Sequence, residues 1–343
     1  MNIDQLRLEI NRVLIDFVDR KCSEISEIDD QLTPVAKAIK DFVSDGKRFR
    51  PIFSLLGYLG AGGKIDEPIL RASVSLELLQ ASALIHDDLM DGSDSRRGKP
   101  AIHKQFSKLH GENFGSSAAI LIGDLALVWS EEALNESGIS IQSLLALNPI
   151  NATMRSELMA GQFLDVYEQT QSDFSIERSL KIARYKSGKY SIERPLHFGA
   201  ALAGSDDLEK FLSIYSEYGL PLGEAFQLRD DLLGVFGDPN ETGKPAGDDL
   251  IEGKRTALIA YAYERGDEKC RTLLKTKLGK KLEEAEIEEL RNSIVSSGAV
   301  THIEDLIEKL SESALDAIER DELNKNAKEL LVEMVERTTK RSK

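Results

Sequence analysis

The chain has 343 residues, and its 59 acidic side chains outweigh 44 basic ones to give a net charge of −15. A balance this acidic argues against a nucleic-acid footprint and against simple electrostatic adhesion to anionic membranes. Cys22 and Cys270 are too few for a disulfide framework and lack metal-ligand spacing, so a reducing cytoplasm is the expected location. The opening Met-Asn-Ile-Asp-Gln-Leu-Arg has no basic segment followed by an apolar one, so no signal peptide is expected. The most apolar run, 118–129, is too short to span a bilayer and contains Asp124, so no integral membrane segment is expected.

Leu6, Ile10, Val13, Leu14 and Phe17 recur at helical spacing and predict an amphipathic helix that packs in its own bundle or on a partner subunit. Ser44-Asp45-Gly46 ends the next helix. Lys47, Arg48 and Arg50 follow before Pro51 opens another, a cluster that taken alone reads as a solvated basic turn. Residues 72–85 form an apolar run without proline or glycine, the signature of a buried helix. Asp87, Asp88 and Asp91 share one surface at its C-terminal end, where three uncompensated acids would repel one another. A divalent cation relieves that repulsion, and an open set of oxygen ligands suits Mg²⁺. Gly92 stops the helix, and Arg96 and Arg97 then supply planar forks suited to phosphate oxygens, so the stretch reads as a diphosphate site.

Residues 109–134 are largely apolar and glycine-punctuated, and Gly115 to Ala119 suit close helix packing. Gln162 and Asp165, three apart on an otherwise apolar helical face, read by themselves as a satisfied core pair. Pro221, inside a helical pattern, predicts a kink. Residues 227–234 (Gln-Leu-Arg-Asp-Asp-Leu-Leu-Gly) closely repeat 84–91, so a second acidic helix end can face the first across a cavity. The stretch 238–255 is the longest loop, with Lys244, Asp249 and Lys254 on it, and motif-rich loops of this length are usually functional. Amphipathic helices follow from Thr256 to a basic tail. No segment shows sustained strand alternation, so the fold class is all-α.

His86-Asp-Asp-Leu-Met-Asp-Gly-Ser-Asp-Ser-Arg-Arg-Gly-Lys-Pro100, Gly46-Lys-Arg-Phe-Arg-Pro51, Gly161-Gln-Phe-Leu-Asp165 and the whole of 226–256 resemble, in order, the signature segments of the trans-isoprenyl diphosphate synthases (polyprenyl synthetases). The Asp-Asp-Leu-Leu-Gly and Lys-Ser-Gly-Lys-Tyr variants resemble those of actinobacterial geranylgeranyl-type synthases. The resemblance implies a single domain, a bundle of long antiparallel helices around a deep central cavity, and a homodimer. It implies that Asp87, Asp91 and Asp230 hold Mg²⁺, with Mn²⁺ as its substitute, and that Asp88 and Gln227 belong to the same catalytic motifs. Arg96, Lys186, Ser187, Lys244 and Lys254 would grip the allylic diphosphate (dimethylallyl, geranyl or farnesyl), the last two from a closing lid. Lys47, Arg50, Gln80 and Arg97 would grip isopentenyl diphosphate, and Gln162 and Asp165 would line the cavity near the reacting carbons. His103 is expected to make a structural hydrogen bond. The interval from Lys186 to Gly199 is longer than the family pattern, leaving Lys186 and Lys189 as alternatives, of which Lys186 is preferred.

Gly234 stands where many relatives carry a third aspartate, so Gly234→Asp is expected to change turnover little. Leu79, Ser82 and Ala83 would line the first turns of cavity below the metals. With small residues at 82 and 83 there is no early floor, and Leu76, Leu79 and a facing Phe163 would stop growth at C20, geranylgeranyl diphosphate. A longer polyprenyl or a farnesyl diphosphate synthase is the alternative. A catalytically silent modulatory subunit would have lost the first acidic cluster or its arginines, and both are present.

Overall fold

The computed structural model describes residues 2–238, 247–319 and 322–340. Four helices open the fold: α1 (Ile3–Ser26), α2 (Thr33–Val43), α3 (Phe49–Gly60) and α4 (Glu67–Met90). The apolar stripe of α1 is spent inside its own bundle, with Leu6, Ile10 and Leu14 fully buried and α1 packed on α2 and α4. Asp66 caps α4 by accepting from the Ile69 N–H at 3.2 Å, and Pro68 sits in its first turn, where a missing N–H costs nothing. α4 is apolar almost all round, because α1, α3 and the later α6 surround it. Among the described residues it, rather than 118–129, is the helix long and apolar enough to cross a membrane. Burial of 72% of that stretch within the bundle accounts for its hydropathy.

A two-stranded hairpin follows, β1 (Ser95–Arg96) antiparallel to β2 (Lys99–Pro100), with Ser95 opposite Pro100. It is the one strand pair among the described residues. Its turn, Arg97-Gly98, has φ of 53° and 72°, the geometry of a tight two-residue hairpin loop, and it is unusual to find arginine in the left-handed region there. The chain continues through α5 (Ile102–His110), α6 (Glu112–Asn135) and α7 (Ile141–Glu168). α5 and α6 approach closely at Gly115, where a Cβ would lie 2.3 Å from the His103 carbonyl oxygen.

Next come α8 (Ile176–Ile182), an eleven-residue π-helical segment (Ala183–Glu193) and α9 (Arg194–Ala203). A π-helix bonds i to i+5 and so holds an extra residue per turn. The long interval from Lys186 to Gly199 is absorbed in this widening. α10 (Leu208–Phe236) runs unbroken through Pro221. The glycines on either side of that proline bring it against the π segment: a Cβ on Gly223 would stand 2.6 Å from Gly188 Cα, and one on Gly219 would stand 2.7 Å from Glu193 Cα. The short α11 (Asp248–Glu252) is followed by α12 (Ala257–Arg265), α13 (Glu268–Lys277), α14 (Glu284–Ser296), α15 (Ala299–Ala317) and α16 (Lys325–Thr339). One apolar core runs through α1–α7, α9 and α10 and takes in the end of α15 and α16, and a second joins the C-terminal half of α10 to α11–α15, so α10 belongs to both. The fold is an all-α bundle.

The backbone contact at Gly188 and Gly223 gives a direct stability expectation. Gly223→Ala forces the π segment off α10 and should cost about 1–3 kcal/mol, read as a lower midpoint in urea unfolding with an unchanged slope.

Candidate active site

The C-terminal turn of α4 sends its three carboxylates in three directions. Asp87 Oδ1 accepts from Gln162 Nε2 on α7 and from Lys186 Nζ on the π segment, both at 2.9 Å. Lys186 also donates to Asp165 Oδ2 at 2.5 Å. Burial alone would raise the Asp87 carboxyl, but Lys186, Lys254 and Arg96 outweigh it and hold Asp87 well below the usual carboxylate range. Asp88 is buried and receives the Arg96 guanidinium, Nε lying 2.9 Å from Oδ1 and 3.2 Å from Oδ2. Arg96 Nη2 also lies 3.8 Å from Asp87. The hairpin thus delivers Arg96 back onto the motif that precedes it.

Asp91 faces the other way, toward α11. Lys254 Nζ lies 3.0 Å from Asp91 Oδ2, 2.8 Å from Glu252 Oε2 and 3.8 Å from Asp249 Oδ1. Asp249 in turn reaches the second acidic motif, because a Cβ on Gly234 would lie 1.9 Å from Asp249 Oδ2. The carboxylate of Asp249 therefore fills the place of a side chain at 234. Asp91, Lys254, Asp249 and Gly234 form a continuous link that joins the two acidic helix ends. On α10, Asp231 is the structural member of its pair. It accepts from Gln227 Nε2 at 2.8 Å and from the Ala257 N–H at 3.2 Å, which docks the start of α12. Burial, with Asp249 and Asp230 adding to it, pushes Asp231 up to about 8. Asp230 is half-buried beside it.

A second group of cations lies N-terminal to this one. Arg50 stacks 4.3 Å over the Tyr190 ring and donates to Ser191 Oγ at 2.7 Å, leaving its buried Nε without a hydrogen bond. The Tyr190 hydroxyl donates to Gln80 Oε1 on α4. Arg97 reaches from the hairpin to the carbonyls of Phe42 (3.3 Å) and Asp45, at the turn that presents the exposed Lys47. Arg48 takes no part: it turns inward, 98% buried, to Glu77 at 2.9 Å. Phe49 and Phe226 meet edge to face at 6.0 Å beside this group.

Among the described residues no three His, Cys, Asp or Glu side chains form a ready cage for a metal ion. Mg²⁺ does not need one, since it takes one or two carboxylates and completes its shell with water and phosphate. Asp91 fits that use: both its oxygens are buried and neither makes a hydrogen bond, the contact with Lys254 being one of charge alone. Burial pushes Asp91 up to about 6, in spite of Lys254.

Residues 33–294 match the family described as Polyprenyl synthetase. The chain is 31% identical to the geranylgeranyl diphosphate synthase of Saccharolobus solfataricus, with 88% of each chain covered. It is 32% identical to the geranylfarnesyl diphosphate synthase of Aeropyrum pernix over 83% of this chain and 87% of that one. Its fold matches the crystal structure of geranylgeranyl pyrophosphate synthase from Corynebacterium glutamicum, complexed with isoprenyl diphosphate and magnesium. The TM-score is 0.95 at 37% identity, with 99% of this chain and 100% of that one covered. The chain belongs to the polyprenyl synthetase family. It is a trans-isoprenyl diphosphate synthase, a prenyltransferase.

The geometry of the synthase decides several readings that spacing left open. Lys186 points at Asp87, whereas Lys189 pairs with Glu157 at 2.7 Å and Glu193 at 3.7 Å. Ser187 is half-buried, and Lys244 lies outside the described residues. Leu79 and Ser82 are buried and Ala83 half-buried, with the Ser82 hydroxyl making no hydrogen bond. Phe163 does not face them. It is 69% exposed and stacks on Tyr167, because one residue along α7 from Gln162 turns the side chain about 100° away. The His103 ring is buried, but its Nδ1 makes no hydrogen bond, so the expected structural bond is not formed there. Gln162 and Asp165 do not satisfy each other; they spend their polar groups on Asp87 and Lys186. Tyr190, Glu252 and Ser93 escaped the sequence reading, since each acts through a partner more than 100 residues away. Asp249 was legible only as a member of its loop.

Position 234 also reverses an expectation. An aspartate there collides with the Asp249 carboxylate and adds a like charge beside it. Gly234→Asp should therefore lower turnover by at least roughly ten-fold, with kcat measured at saturating substrates.

Proposed function

We propose that the synthase condenses isopentenyl diphosphate head-to-tail with an allylic diphosphate (dimethylallyl, geranyl or farnesyl) and releases geranylgeranyl diphosphate. The observation that carries this reading is the link from Asp91 through Lys254 to Asp249 and Gly234, which brings the two acidic motifs together. Asp87, Asp91 and Asp230 would hold Mg²⁺, which would supply positive charge to the allylic diphosphate as its C–O bond breaks. Arg96, Lys186 and Lys254, with Lys244, supply preorganised positive charge to the leaving diphosphate. Lys47, Arg50, Gln80 and Arg97 hold isopentenyl diphosphate so that its double bond meets the allylic cation. The unpaired Arg50 Nε and the Tyr190–Gln80 bond support that assignment. The departing pyrophosphate takes the proton lost from the new chain, and water has to stay out of the site because it would quench the cation.

The C20 product rests on small residues at 82 and 83 above the buried Leu79 and Leu76, a face without an early aromatic floor. Relatives named as geranylgeranyl and geranylfarnesyl diphosphate synthases favour C20, with a longer chain as the second outcome. A homodimer is supported by apolar side chains left exposed on neighbouring helices, Leu121 and Val128 on α6 and Leu145 and Phe163 on α7, a pattern that marks an interaction surface. Two free cysteines agree with a reducing cytoplasm.

Radiolabelled isopentenyl diphosphate supplied with C5, C10 and C15 primers should give a C20 product that disappears in excess chelator. Asp87→Ala and Asp230→Ala should each cost orders of magnitude in turnover, and full activity in chelator would sink the mechanism. Ser82→Phe should shorten the product; an unaltered product distribution would place the growing chain along another face. Sedimentation equilibrium should return twice the chain mass, and Leu121→Glu should halve it.

A further inference from the structure

Lys254 is a largely buried cation with three carboxylate neighbours, and only one of them lies outside the acidic motifs and the carboxylate that completes them. That one is Glu252. The end of α11 creates the pairing. Gly253 adopts φ of 78°, the Lys254 N–H returns to the Asp249 carbonyl at 3.0 Å, and the side chains flanking the glycine meet at 2.8 Å. The second Glu252 oxygen accepts from Ser93 Oγ, and Ser93 lies two residues after Asp91. Glu252 and Asp91 expose 5% and 2% of their side chains. A closed ring results: Asp91 to Lys254, Lys254 to Glu252, Glu252 to Ser93, and back along the chain to Asp91.

We propose that Glu252 is a positioning residue that holds the Lys254 ammonium beside the diphosphate site and so frees Asp91 for the metal. The proposal rests on the prenyl-transfer reading above. When Asp91 turns to a divalent cation, the ammonium keeps its shortest carboxylate contact, 2.8 Å to Glu252, which Ser93 fixes in place. Without that carboxylate the ammonium stays on Asp91 and competes with the metal.

The test is a double-mutant cycle read by Mn²⁺ binding, followed by electron paramagnetic resonance in the presence of inorganic pyrophosphate. Glu252→Gln should weaken Mn²⁺ by roughly ten-fold. In a Lys254→Met background the same substitution should have no further effect, because the competing ammonium is gone. An unchanged affinity in the Lys254 enzyme overturns the proposal. An equal loss in both backgrounds also overturns it, since Glu252 would then act on the metal directly. If Lys254→Met does not fold, Ser93→Ala carries the test: weaker Mn²⁺ binding supports the ring, and no change overturns it. In steady state Glu252→Gln should raise KM for the allylic diphosphate and leave that for isopentenyl diphosphate alone. A wild-type chain that makes no product refutes the functional reading instead, and the Mn²⁺ cycle still scores Glu252.

Discussion

One largely buried ammonium, that of Lys254, joins the two halves of the site. Asp91 ends the first acidic helix and Asp249 leans on the second, and both would be costly to bury so close together without a cation between them. Lys254 compensates both, and Glu252 adds a third carboxylate. Lys186 plays the matching role on the opposite side, between Asp87 and Asp165. Asp87, Asp91, Asp165 and Asp249 are therefore each held beside a lysine.

These contacts depend on backbone approaches that side chains would forbid. The π segment can aim Lys186 at Asp87 because it lies almost in contact with α10 at Gly188 and Gly223. The extra residue held in that segment turns Lys189 away to Glu157. A regular α-helix of the same sequence would present the two lysines differently. The hairpin is a second such device. Its left-handed Arg97 separates two adjacent arginines, sending Arg96 to Asp88 and Arg97 to the turn before Lys47. Two neighbouring side chains thereby reach two different groups of site residues.

Local spacing along the chain was enough to identify the all-α class, the two acidic helix ends, the arginine pair and the stretch that carries Lys254. Each of these is a property of a few neighbouring residues: a helical period, an apolar run, a turn. Three turns of one helix suffice to show that Asp87 and Asp91 end a buried element. Tertiary structure alone decided who partners whom. It set Asp249 in the space left by Gly234, turned Phe163 outward to an exposed face, left His103 Nδ1 without a partner, and spent Gln162 and Asp165 on Asp87 and Lys186. A residue's place on its own helix follows from the helical repeat. What lies opposite depends on how closely two backbones can approach, and that is settled by residues far apart in sequence.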